Sequence, residues 1–248
     1  MTSDAQSHYD TLLAEHYDWM LGVPFEVKVK EQAALLNALA GRAVGDALAV
    51  DLGCGSGLQS LALSELGYRV IAVDFSDKLL SKLSNRISGG SITARHGDIR
   101  NLGDYVAAEA ASVVVCMGDT LTHLPSRKDV SALLRSVARA LRPHGVFVVT
   151  YRDLAGTELR GLDRFIPVQG DERRVMTCFL EYTSPETVMV SDLIHVRDDA
   201  GHWTLKSSSY PKLRLPIGWL RGEIEAAGLT VVLQRAQRMI TVAAVKKR

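Results

Sequence analysis

The chain has 248 residues, 47% of them apolar, with a formal net charge of +1. That length suits one large α/β domain, or a domain with a modest insertion, and it can bury a core without metals or cross-links. So balanced a charge provides no long-range field to draw nucleic acid or an anionic membrane, and no dense basic run supplies a local one.

Along the chain, Leu12, Leu13, His16, Tyr17 and Met20 recur at spacings of three and four and predict a helix with one apolar stripe. After a break at Gly22-Val23-Pro24, a second helix is expected over residues 25–39. Residues 47–52 form a short apolar run closed by glycines, the first strand. A helix over 58–66 follows, stopped by Gly67. Strand two covers 68–73, and Ser76 caps a helix running to about residue 87. Strand three is 92–96, and the β-branched run 112–117 is a buried fourth strand. A helix from Ser126 to Leu141 and a strand over 145–150 complete the first half.

This alternation implies a parallel sheet with helices on both faces. The texture then changes. Residues 174–181, 187–196 and 202–210 are three extended candidates separated by turn-forming residues, which suits antiparallel hairpins. A helix over 217–227 and two strands, 229–234 and 239–245, restore the first pattern. These last strands are too close for a parallel crossover, so they must pair antiparallel. The predicted organisation is an N-terminal helical cap (1–44), a Rossmann-like core (45–159 and 211–248), and an antiparallel β insertion (160–210) placed as a lid over the acceptor.

Cys54, Cys116 and Cys178 contain no CxxC pair, so no metal site is expected, and reduced thiols in a cytoplasmic protein fit best. The start, MTSDAQSHYD, lacks the basic and apolar regions of a secretory signal. No apolar stretch approaches the roughly 20 residues of a membrane helix. The closing Lys246, Lys247 and Arg248 form a short, solvated basic tail.

The chemistry concentrates at three strand ends. Asp51-Leu52-Gly53-Cys54-Gly55-Ser56-Gly57 places three glycines at alternate positions after a buried strand. They allow a sharp turn and remove the Cβ atoms that would hold a ligand away from the backbone. A GxGxxG dinucleotide turn would need a small residue at position 58, where Leu58 stands. Asp74, closing strand two, is placed to accept both hydroxyls of a ribose. Asp98, with Ile99 after it, can meet an adenine edge.

These residues bring the chain to a recognisable family. VDLGCGSG, VIAVDFS, GDIRNL and LRPHGVFVV, in that order, resemble the class I S-adenosylmethionine-dependent methyltransferases over residues 45–150. The resemblance implies a seven-stranded sheet of order 3-2-1-4-5-7-6 with strand 7 antiparallel. It also implies that Asp51 and the glycines Gly53, Gly55 and Gly57 hold the methionine portion, Asp74 the ribose, and Asp98 and Ile99 the adenine, with Cys54 and Phe75 also at the cofactor. A narrower stretch, CMGDTLTHLP from Cys116 to Pro125, is similar to the loop of glycine N-methyltransferase-like enzymes. It implies Met117 against the cofactor, with Asp119 and His123 near the acceptor. Thr150-Tyr151-Arg152-Asp153 resembles a stretch of the same enzymes whose arginine holds a substrate carboxylate, making Arg152 the candidate here. Tyr17, in the cluster His16-Tyr17-Asp18-Trp19, can close the pocket and offer its ring face to a sulfonium. Trp203, Tyr210 and Trp219 are expected to pack in the core or insertion, with a place in the acceptor pocket open to any of them.

The function expected is methyl transfer from S-adenosylmethionine to a nitrogen or oxygen of a small polar molecule, by in-line displacement. An oxygen acceptor would call on His123 as base. No nucleic acid or membrane partner is expected, and a homo-oligomer is compatible. The alternatives are an RNA or protein methyltransferase, a cofactor-binding module without catalysis, or an NAD-dependent oxidoreductase.

Overall fold

The computed structural model describes residues 4–237 and 239–247. The first three residues of the expected cap and Arg248 of the basic tail lie outside the described residues.

In chain order the strands are β1 (Leu48–Leu52), β2 (Arg69–Asp74), β3 (Ile92–His96), β4 (Ala111–Cys116), β5 (Leu141–Tyr151), β6 (Phe165–Gly170), β7 (Arg174–Tyr182), β8 (Thr187–Arg197), β9 (Trp203–Leu213), β10 (Leu229–Ala236) and β11 (Ile240–Lys246). The helices are α1 (Asp4–His8), α2 (Ala14–His16), α3 (Phe25–Ala40), α4 (Leu58–Glu65), α5 (Asp77–Ser84), α6 (Arg127–Ala140) and α7 (Ile217–Ala226). Seven strands form one sheet of order β3-β2-β1-β4-β5-β11-β10. Its first five strands run parallel, and β11 is antiparallel to both β5 and β10. This is the Rossmann-like order that the sequence implies.

Strand pleating divides the core between the two faces of the sheet. Val50 and Leu52 of β1 pack with Leu133, Leu134 and Val137 of α6 on one side. Ala49 packs with Ala62 and Leu63 of α4 and Leu36 of α3 on the other. Ser126 caps α6 by accepting from the Asp129 amide at 3.2 Å, and Ser76 caps α5 through Leu79. Such caps contribute about 1 kcal/mol each. Helix α5 stops at Ser84, three residues short of the predicted end.

Strands β6 to β9 form a separate antiparallel sheet. It has four strands where the sequence predicts three. Pro167 and the closing Gly170 hid β6, and β6 lies at the sheet edge, where proline is tolerated. Lys246 also departs from expectation. It ends β11, and its ammonium donates to Leu141 O at 2.8 Å and to Glu109 at 3.2 Å, so it is no free tail. No described helix is long and apolar enough to cross a membrane.

Candidate active site at the strand ends

The glycine turn leaves β1 with Gly53, Gly55 and Gly57 all at positive φ, 74°, 53° and 99°. The amides of Gly53 and Cys54 both donate to Val73 O, which folds the turn against the end of β2. There Asp74 accepts from the Gly55 amide and the Ser76 amide, each at 2.8 Å. A Cβ on Gly55 would come within 3.3 Å of Tyr17 Oη, and one on Gly53 would overlap Thr120. The missing Cβ atoms thus let the turn pack closely against Tyr17 and Thr120, which line the same pocket.

Asp51, at the buried end of β1, accepts from Ser60 Oγ at 2.6 Å. Burial pushes its carboxyl up to about 7; the Ser60 hydrogen bond opposes that shift and the charge of Asp74 reinforces it. The Cys54 thiol is buried and pushed up by desolvation, so it behaves as an inert packing group.

The N-terminal segment covers this turn, although not as the single regular helix expected. Helix α1 passes into a π-helical stretch (Tyr9–Leu13), then α2, then a 3-10 turn (Trp19–Leu21). The irregularity has a geometric consequence. Tyr9 and Tyr17 are eight residues apart, and two α-turns take up about 7.2 residues. The wider π turn absorbs the surplus. Both rings then face the same pocket, with centroids 6.2 Å apart. Of the cluster His16 to Trp19, only Tyr17 reaches that pocket. Asp18 instead binds Lys82 and Arg86 of the neighbouring helical region, and Trp19 donates to Asp171.

The far wall comes from the turn after β4. Gly118 and Asp119 take φ of 71° and 83°, and a 3-10 turn (Thr120–His123) follows. Thr120 and His123 line the pocket. His123 Nε2 lies 3.4 Å from Tyr9 Oη, and its ring stacks on Tyr210 at 5.3 Å. Burial, then the nearby charge of Lys212, lowers the imidazole to about 3. Asp119 is buried in an ion pair with Lys212 of β9, and its Oδ1 accepts the Arg152 amide at 3.0 Å. Its carboxyl is lowered: burial works against the shift, and Lys212 and Arg152 outweigh it. The Arg152 guanidinium makes no hydrogen bond or ion pair with a described residue.

The predicted residues are therefore distributed unevenly. Gly53, Gly55, Asp74, Phe75, Tyr17 and His123 line one pocket. Gly57 supports the turn from behind, where a Cβ would meet Leu83. Met117 is buried in the core at the end of β4. Asp98 stands outside the pocket lining, its carboxylate taken by the amide and guanidinium of Arg100, and Ile99 packs into the core. Tyr9, Leu79, Gly118 and Thr120 line the pocket without having been singled out.

The free volume within these walls is about 30 Å³, room for a water or two. A nucleoside-sized ligand needs more room than this, so the walls must part to admit it. The groups present nevertheless suit S-adenosylmethionine: a glycine turn that exposes its backbone to the pocket, a carboxylate at the strand end, and ring faces opposite.

Comparison with known proteins agrees. Residues 49–145 match the family described as a methyltransferase domain. The cypemycin N-terminal methyltransferase of a Streptomyces species is 35% identical over 114 residues, 46% of this chain and 45% of that one. Glycine N-methyltransferase of Mus musculus is 29% identical over 116 residues, 42% of this chain and 40% of that one. The matched stretch thus spans less than half the length of these relatives. Among solved structures, the CcbJ methyltransferase of Streptomyces caelestis shares the fold with a TM-score of 0.76 at 21% identity, over 97% of this chain and 98% of that one. Residues 49–145 thus carry a methyltransferase domain, in a chain whose fold is that of solved methyltransferases.

Proposed function

We propose that the protein methylates the nitrogen of a small amine. One observation carries this reading: the pocket joins the glycine turn and Asp74 at one end to a wall at the other whose only histidine, His123, is held near 3. An oxygen nucleophile must shed a proton as it attacks, and so weak a base gives little help at neutral pH. A neutral amine needs no such help. His123 then serves as an uncharged acceptor for Tyr9.

The cofactor supplies a methyl group already activated on a sulfonium. In this reading Asp51, Gly53, Cys54, Gly55 and Gly57 hold its methionine portion, Asp74 and Phe75 its ribose, and Asp98 and Ile99 its adenine, with Met117 close by. Tyr17 closes over the reacting centre and excludes water. Arg152 is free to meet an anionic or carbonyl group of the acceptor. Asp119, neutralised by Lys212, braces the wall. The β6–β9 sheet, which covers the predicted insertion 160–210 and runs on to Leu213, closes the acceptor side over the core predicted at 45–159 and 211–248, and the 1–44 cap closes the cofactor side. Incubation with methyl-labelled S-adenosylmethionine and a mixed pool of small amines and alcohols tests the reading. Label on nitrogen supports it; label confined to oxygen overturns it.

The state of Asp51 gives a pH prediction. Its folded value of about 7 lies above the unfolded value near 4. The folded state therefore binds the extra proton between those values, and stability is lost as pH rises through that window. The melting temperature should fall from pH 5 to pH 8, and Asp51→Asn should flatten that slope. An equal slope in the variant would contradict the assignment.

A further inference from the structure

The β6–β9 sheet has a second face that the pocket does not use. Strand pleating turns Met176, Cys178, Leu180, Val190 and Ile194 inward, where they are buried with Ala5, Leu12 and Leu13 of the N-terminal segment. The alternate residues point the other way. Across the middle of that outer face run Thr177 of β7, Leu193 of β8 and Ser207 of β9, side by side in register. Phe165, Val175, Trp203 and Leu205 share the face, each between 42% and 52% exposed. They are four of the nine large apolar side chains that stand exposed among the described residues. Scattered exposed apolar side chains are ordinary, but a cluster on one face marks a contact surface.

Size, charge and edges identify what covers it. Four strands about 4.8 Å apart, with about nine residues at about 3.4 Å each, make a face of roughly 19 by 30 Å. Two copies packed through it would bury about 1,100 Å² in all, just above the roughly 1,000 Å² that a specific interface needs. The charged side chains of the face sit at its two ends. Arg164, stacked on Phe179, and Glu181 lie at one end; Glu172 and Arg197, stacked on Trp203, lie at the other. Glu172 and Glu181 are exposed, and neither forms an ion pair with a described residue. A two-fold axis in the interface, running across the strands, sets the first end of one copy over the second end of the other. Glu181 then meets Arg197 of the second copy and Arg164 meets its Glu172, each pair occurring twice by symmetry. Both edge strands carry a proline, Pro167 in β6 and Pro211 in β9, which blunts pairing edge to edge. Face-to-face packing is the contact left to two copies of this sheet.

We propose that the outer face of the β6–β9 sheet is a dimer interface, on which a second copy of this chain packs the same face to form a two-layered sandwich about 10 Å thick. Val175 and Leu205 contribute apolar contact area. The Glu181–Arg197 and Arg164–Glu172 pairs fix the register and orientation, as charges at an interface rim do. The partner is a second copy because the face is complementary to itself under that axis. The interface is independent of the methyl-donor reading of the pocket.

Equilibrium sedimentation of the full chain over a micromolar concentration series gives the test. The unaltered protein should sediment as a dimer. Val175→Glu combined with Leu205→Glu should give a monomer, because the new carboxylates would be buried against apolar groups of the second copy. Glu181→Arg should raise the dissociation constant on the order of tenfold, and adding Arg197→Glu should restore pairing. If the Val175/Leu205 variant folds poorly, this charge exchange decides alone. S-adenosylmethionine affinity should stay within about twofold in every variant, since none of these positions lines the pocket. An unaltered chain that sediments as a monomer, or a dimer that survives Val175→Glu with Leu205→Glu, would overturn the interface. A loss of pairing in Glu181→Arg that Arg197→Glu fails to restore would overturn the two-fold arrangement.

Discussion

Gly53→Ala should remove most cofactor affinity and destabilise the protein at the same time. Gly53 sits at φ 74°, which costs an L-residue roughly 1–2 kcal/mol. The new methyl would also overlap Thr120, whose hydroxyl is tied to Met117 O at 2.9 Å and so resists rotation. Overpacking of this kind costs about 1–3 kcal/mol. Together these predict a loss of roughly 2–5 kcal/mol, or a fall in Tm of about 5–15 °C for a chain of this length. Thr120 lines the pocket, so displacing it would disturb the ligand's wall, and S-adenosylmethionine affinity should drop on the order of 100-fold, about 2.7 kcal/mol. Adding Thr120→Ala should return part of the stability and little of the affinity. A single variant with native Tm and native affinity would show that the turn is no cradle.

Asp74→Ala carries the second large effect. Asp74 accepts from two backbone amides and lines the pocket, so it holds the turn and faces the ligand together. Truncation leaves the Gly55 and Ser76 amides without their carboxylate, at about 1–3 kcal/mol each when buried. S-adenosylmethionine should bind at least about ten times more weakly, since charge-assisted hydrogen bonds to hydroxyls are lost as well. Asp74→Asn separates the two roles: its carbonyl can still accept one amide, so stability should recover more than affinity does. Unchanged affinity in calorimetry would remove Asp74 from the site.

Local patterns carried the sheet and the cofactor end of the pocket. The run of β-branched residues in β4 and the caps Ser76 and Ser126 announce their elements because strand pleat, helix period and capping are all short-range. Gly53, Gly55 and Asp74 were legible for the same reason, since the turn and the strand end form from neighbours. The acceptor wall is different. His8 meets Asp192 across 184 positions and Lys212 meets Asp119 across 93, so no spacing rule points to either pair. Tyr9 escaped notice because a regular helix would turn it away from Tyr17, and the π turn that corrects this is rare. Asp98 shows the converse. Its place in the motif is local and clear, but whether its carboxylate faces a ligand or Arg100 depends on side-chain competition that spacing does not describe.

Everything proposed for this pocket depends on the turn from Val50 to Gly57, with Asp74, holding S-adenosylmethionine. Calorimetric titration of the full chain with S-adenosylmethionine tests it most directly, with Asp74→Ala and NADH as controls. One site per chain is expected, with a Kd on the order of micromolar, the range near −8 kcal/mol, competed by S-adenosylhomocysteine and lost in the variant. Heat from NADH and none from S-adenosylmethionine, or binding unchanged in Asp74→Ala, would contradict it.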